Sequence, residues 1–150
     1  VADATISSNI PDDAFQLRQT IPAHVHPTPE WSKFNDALKA SGELINKLDD
    51  PDHYDPEIVF FSKDLRDVKP EAEFRVNIGD GHNFLTKYDT SEFPIATRWI
   101  LYNEDQQVNA FVIPGTSTPE GKHAAEQAGT LIMLKAQESR SFKVTTGLEN

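Results

Sequence analysis

Ten prolines cut this 150-residue chain into short pieces, and that punctuation limits what it can fold into. Proline lacks an N–H and fixes φ, so it stops helices and is tolerated in sheets only at edges or bulges. The pieces between them mostly alternate with a period of two, the mark of a strand with one face buried. Phe74, Val76 and Ile78 alternate with Arg75 and Asn77. Gly79-Asp80-Gly81 then supplies the positive φ of a tight turn, and Asn83 to Tyr88 returns as the second arm of a hairpin. Ile95, Thr97, Trp99 and Leu101 share one face of the following strand, while Ala96, Arg98, Ile100 and Tyr102 share the other. Both faces are mostly apolar, so this strand is expected to be central and covered on both sides.

Weaker strands flank these. Val1 to Ser8 places Ala2, Ala4 and Ile6 on one face, and Phe15, Leu17 and Gln19 alternate with Gln16, Arg18 and Thr20. Glu57 to Ser62 is a short apolar strand with a polar start. Val108 to Ile113 is expected to be stopped by Pro114-Gly115, Leu131 to Leu134 reads as a buried strand, and Phe142 to Val144 as the last strand.

Two segments carry helix signals instead. Thr28 can cap free N–H groups and Pro29 suits the first helical position. Trp31, Phe34, Leu38, Ile45 and Leu48 then form an apolar stripe that predicts a helix to about Leu48, weakened at Gly42. Thr118-Pro119-Glu120 repeats the pattern for a short helix to about Ala128, ended by Gly129. The sum is an all-β, mostly antiparallel sandwich with one amphipathic helix and one short helix, read as a single domain over residues 1–150. Regular strand–helix alternation, which a doubly wound sheet needs, is missing.

Composition narrows the function. The net charge of −10 would repel a phosphate backbone, so a nucleic-acid partner is not expected. No run approaches the ~20 apolar residues of a spanning helix, so no membrane partner is expected either. With no cysteine, disulfides, thiolate metal sites and a Cys nucleophile are excluded, and a cytoplasmic location is expected. No signal-peptide pattern is visible. The first residue is Val, which leaves processing, tag cleavage or a fragment as explanations.

Several polar clusters are candidates for chemistry. His24 and His26 lie on one face of an extended segment, but two imidazoles do not make a zinc site. Asp52-His53-Tyr54-Asp55-Pro56-Glu57 is the densest polar run, and Glu57 enters an apolar strand, where burial is costly unless the carboxylate is paired. The structural alternative is an ion pair with Arg66 or Arg75. Arg98 and Trp99 are sequence neighbours on opposite faces of the central strand; indole faces stack on sugar rings and guanidinium groups grip hydroxyls and carboxylates. The alternative is one core residue and one ion pair. Gly115 to Thr118 is a polar loop before a helix start, too poor in glycine for a phosphate-binding loop.

Phe93-Pro94-Ile95-Ala96-Thr97-Arg98-Trp99, Ile113-Pro114-Gly115-Thr116-Ser117-Thr118-Pro119-Glu120-Gly121, Gly129-Thr130-Leu131, and Glu138 to Phe142 with Gly147 together resemble aldose 1-epimerase-like (galactose mutarotase-like) proteins. Upstream, Pro56-Glu57-Ile58-Val59-Phe60 is similar to that group's Pro-Glu-x-Val-Tyr strand. The resemblance covers roughly residues 56 to 148. It implies a β-supersandwich of about twice this length, with this chain as its C-terminal half and a missing N-terminal half as partner. It implies a small-molecule sugar ligand, a hexose or a relative, whose anomers are interconverted by general acid/base catalysis without a cofactor or metal. Glu57 is then the candidate acid or base, and His53, Arg98, Trp99, Thr116 and Glu120 are candidate sugar contacts. Two positions depart from the pattern. Ile113 stands where many members carry Glu, and Ile100 where many carry Lys. A non-catalytic carbohydrate-binding sandwich, or a fragment without activity of its own, fits the same residues.

Overall fold

A computed structural model describes residues 4–18, 21, 23–77, 79, 81–105 and 111–149. Among them are eight strands in two antiparallel sheets of four. Sheet A has the order β1 (Thr5–Ser8), β4 (Glu71–Asn77), β5 (Asn83–Asp89), β8 (Val144–Glu149). Sheet B has the order β2 (Phe15–Arg18), β3 (Ile58–Ser62), β6 (Ile95–Ile100), β7 (Phe111–Gly115). The expected all-β antiparallel class is therefore the observed one.

Alternation sets which residues meet between the sheets. Phe15, Ile58, Phe60, Ala96, Ile100 and Val112 from sheet B join Ile6, Ala72, Phe74 and Tyr88 from sheet A in one buried cluster. Phe15 and Phe74 meet edge-to-face across the gap, with ring centroids 6.2 Å apart. The opposite face of sheet A carries charge instead. Arg75 pairs with Glu73 and Glu149, and Lys87 with Glu71 and Glu73, across β4, β5 and β8. Opposite charges on neighbouring strands support the ladder.

Helix α1 spans Pro29–Ser41. The Thr28 hydroxyl accepts from the Trp31 N–H at 3.1 Å, as the capping signal predicts. The helix does not reach Leu48. Gly42 sits at φ +67° as its left-handed cap, donating to the Leu38 carbonyl at 3.0 Å. Glycine is costly inside a helix and suited to this conformation, so the chain leaves the helix there. Ile45 and Leu48 are buried as expected, but from an extended segment. That segment lies beside β1, with the Ile6 N–H donating to the Asn46 carbonyl and the Leu48 N–H to the Ala4 carbonyl.

Four other expectations change. The strand predicted from Val108 begins, within the described residues, at Phe111 and runs through Pro114 and Gly115. Strand β7 is the sheet edge, where a residue without an N–H is tolerated. Residues 108–110 lie outside the described residues, as do Ala2, Gln19, Thr20, Ile78 and Asp80 of the other predicted elements. The second helix, α2, is shorter than predicted, Lys122–Gln127. Leu131 to Leu134 is not a buried strand. The Thr130 and Leu131 N–H groups turn back to the Ala125 carbonyl, and Met133 and Leu134 are 73% and 51% exposed. The last strand starts at Val144, not Phe142, and its inner-face residues Val144 and Leu148 are exposed together with Phe84 of β5.

No helix among the described residues is long and apolar enough to cross a membrane.

Candidate functional site

The registers of sheet B place two further rows on the face turned away from the core. Arg18, Val59 and Trp99 stand side by side in one row, and Gln16, Phe61, Thr97 and Ile113 in the next. Glu57 precedes β3 at the end of this face. Its carboxylate Oε2 accepts a hydrogen bond from the Trp99 indole N–H at 2.6 Å. Two of the residues singled out in the sequence are thus in direct contact, through strands β3 and β6. The charged acceptor makes this a charge-assisted bond. It ties the indole ring to the carboxylate. The alternative ion pairs for Glu57 are not formed, because Arg66 pairs with Asp64, and Arg75 with Glu73 and Glu149.

The backbone before Glu57 is held from below. The Trp31 indole N–H donates to the Pro56 carbonyl at 2.6 Å, and the Asp55–Pro56 peptide is cis. Trp31 is 3% exposed, and helix α1 anchors the start of β3 through this partly buried bond. Arg18 lies over the Phe61 ring, 5.6 Å from its centroid, and lines a hollow with Glu57, Trp31, Asn35 and Val59.

The other candidates are elsewhere. Arg98 is 1% exposed and points between the sheets. It donates to the Ile45 carbonyl at 2.6 Å and to Asn46 Oδ1 at 2.8 Å, and its guanidinium lies over the Phe15 ring. Asn46 in turn donates to Asp12 at 2.7 Å, so a side-chain amide links the buried cation to a carboxylate. Burial pulls the Arg98 pKa down to about 10, partly offset by the charge of Asp12. As with the structural alternative weighed for this residue, the side chain belongs to the core.

His53 lies on the single helical turn Pro51–Tyr54. Its ring stacks on Phe34 with centroids 4.1 Å apart, and Nδ1 is 3.2 Å from Asp49 Oδ1. The Tyr54 hydroxyl donates to the same oxygen at 2.6 Å. Burial works to raise the Asp49 pKa, but the bonds from Tyr54 and His53 outweigh it and hold the carboxyl below its ordinary value. Burial, reinforced by Asp49, pushes the Tyr54 hydroxyl up.

Thr116 follows β7 and lines a separate hollow with Arg66, Glu92, Thr130 and Arg140. The exposed Glu120 carboxylate accepts from the Thr118 hydroxyl at 2.8 Å. The structure therefore brings together Glu57 and Trp99, and none of Arg98, Thr116 or Glu120 touches that pair. A roomier cleft of about 440 Å³ lies between Glu30, Asp52, Asp55 and Glu104. No group of three or more His, Cys, Asp or Glu among the described residues is placed to hold a metal ion, and His24 and His26 are exposed.

Arg18 and Phe61 were missed as site residues. The signal was present in the alternation of Phe15 to Arg18, which puts Gln16 and Arg18 on the face opposite Phe15 and Leu17.

Fold and site define an antiparallel β-sandwich with a tryptophan–glutamate pair on the outer face of one sheet. The chain belongs to the family described as a domain of unknown function, DUF4432, which matches residues 22–148. No curated protein and no solved structure matches the chain.

Proposed function

We propose that this chain is an aldose 1-epimerase-like protein that binds a hexose on the outer face of sheet B and interconverts its anomers. The observation that carries the reading is the Trp99–Glu57 bond of 2.6 Å on a sheet face with Phe61 and Arg18 alongside. An aromatic plane, a fixed carboxylate and a guanidinium are the groups that recognise a sugar ring and its hydroxyls. The motif resemblance supplies the reaction. Glu57 takes the proton of the anomeric hydroxyl, the C1–O5 bond breaks, and solvent protonates O5. The C1 aldehyde then rotates and the steps reverse on its other face.

The position of Ile113 supports the same face. Where many aldose 1-epimerase-like proteins carry Glu, Ile113 pairs with Thr97 in the row beside Trp99 and is exposed. A carboxylate there would share the face of Glu57.

Polarimetry on freshly dissolved α-glucose and α-galactose tests the activity. Equilibration faster than buffer, lost in Glu57→Gln, is expected. Equilibration at the buffer rate with every aldose tried would remove the epimerase reading.

One observation favours a second reading. Among the described residues, the bonded partner of Glu57 is an indole, which is no proton donor for a ring oxygen, and His53 is committed to Asp49. A non-catalytic carbohydrate-binding sandwich needs only the face itself. Sugar binding by calorimetry without accelerated mutarotation would decide for it.

A further inference from the structure

We infer that Arg18 makes the outer face of sheet B selective for sugars bearing an oxyanion, a carboxylate or a phosphate. This rests on the sugar-binding reading above and names the ligand class of that same face. Three observations converge on Arg18. Its Nε is shielded from solvent and has no hydrogen-bond acceptor among the described residues. Its guanidinium lies over the Phe61 ring, 5.6 Å from the centroid. It sits in the row of Trp99, two strands away, and shares a hollow with Glu57.

Among the described residues no carboxylate is paired with this cation. Arg66 is paired with Asp64 of its own turn, and Arg75 with Glu73 of its own strand and Glu149 of β8. The other arginine with a shielded, unbonded Nε, Arg98, is stabilised by two other hydrogen bonds and by Asp12 through Asn46. Among the described residues Arg18 has no such arrangement. A partly desolvated guanidinium without an acceptor is costly, and an oxyanion at its terminal nitrogens answers it with a charge-assisted bond. Glu57 gives one carboxylate oxygen, Oε2, to the Trp99 indole.

The test is calorimetric titration of the intact chain with glucose, galactose, glucuronate and glucose 6-phosphate. The anionic sugars are expected to bind roughly tenfold tighter than their neutral parents, as one charge-assisted bond requires. Uronate and phosphate arms distinguish the two oxyanions. Arg18→Gln should erase the preference, so that anionic and neutral hexoses bind alike in that variant. Arg18→Lys, which keeps the charge but loses the planar fork, should retain part of it. Neutral hexoses binding as tightly as anionic ones, or a preference that survives in Arg18→Gln, would overturn the inference and leave the sugar-binding reading intact. No binding of any sugar would overturn both.

Discussion

The Trp99 indole N–H and the Glu57 carboxylate are joined at 2.6 Å between two strands that are neighbours in sheet B but distant in sequence. The bond makes Trp99 a reporter of the site. Trp31, the other tryptophan, is buried. A bound sugar is therefore expected to change the fluorescence of the Trp31→Phe variant more than that of Trp99→Phe, whose remaining indole is buried. Equal responses from the two variants would place the sugar elsewhere.

Ile113 offers a gain-of-function experiment. Ile113→Glu adds a second carboxylate to the face of Glu57 at an exposed position, so the fold should tolerate it. General acid/base assistance contributes about 100-fold or more where fully positioned. An increase of even about tenfold in mutarotation rate would support Glu57 as one half of an acid/base pair. No increase, with the fold intact, would argue for the binding-only reading.

Arg98 is a stability residue in this fold. Arg98→Ala leaves the Ile45 carbonyl and Asn46 without their donor and opens a cavity beside Phe15. Urea denaturation should show a loss of about 3 kcal/mol, from the unsatisfied acceptors and the lost packing together. Sugar affinity should hardly move, because the side chain lies on the other side of the sheet. A fully stable Arg98→Ala variant with lost affinity would reverse both assignments.

Asp49 sets an acid limit. Its carboxyl is held below the ordinary aspartate value of about 3.9, so its contribution is present above that pH and lost as pH falls through the folded value. Its side chain is half exposed, and screening keeps the effect small. Tyr54→Phe removes the stronger of its two partners. The variant should lose about 1 kcal/mol at neutral pH, and its stability should fall less steeply than wild type below about pH 4. Parallel acid profiles would show that the Tyr54 bond does not shift Asp49.

Gly42→Ala probes the end of α1. At φ +67° a Cβ meets no neighbour, so the penalty is conformational alone, about 1 kcal/mol. An unchanged or higher melting temperature would mean the helix simply extends.

Most of the sheet was legible in the sequence because period-two alternation is a local signal. Strand β6 shows it best, with both faces assigned correctly from Ile95 to Ile100. The helix end was hidden because Ile45 and Leu48 keep a helical spacing while packing from an extended segment. Leu131 to Leu134 looked like a core strand because an apolar run reveals nothing about whether a ladder partner exists. In the site, Glu57 stood out as a carboxylate at the start of an apolar strand. That Trp99 would be its partner depended on the pairing of Ile58 with Ile100, which no local pattern contains. Arg18 was hidden for the same reason.

The strand order of sheet A also governs how the chain reaches this structure. The hairpin of β4 and β5 sits at its centre, and such a unit closes within about 10 μs. Its flanks come from opposite ends of the described chain, Thr5 meeting Asn77 and Val144 meeting Tyr88. Neither flank has a local contact to guide it, and loop-closure entropy must be met before either pairing is rewarded. Folding should therefore run outward from the hairpin on a millisecond-to-second scale, with β1 and β8 as the last strands to lock and the first to open in hydrogen exchange.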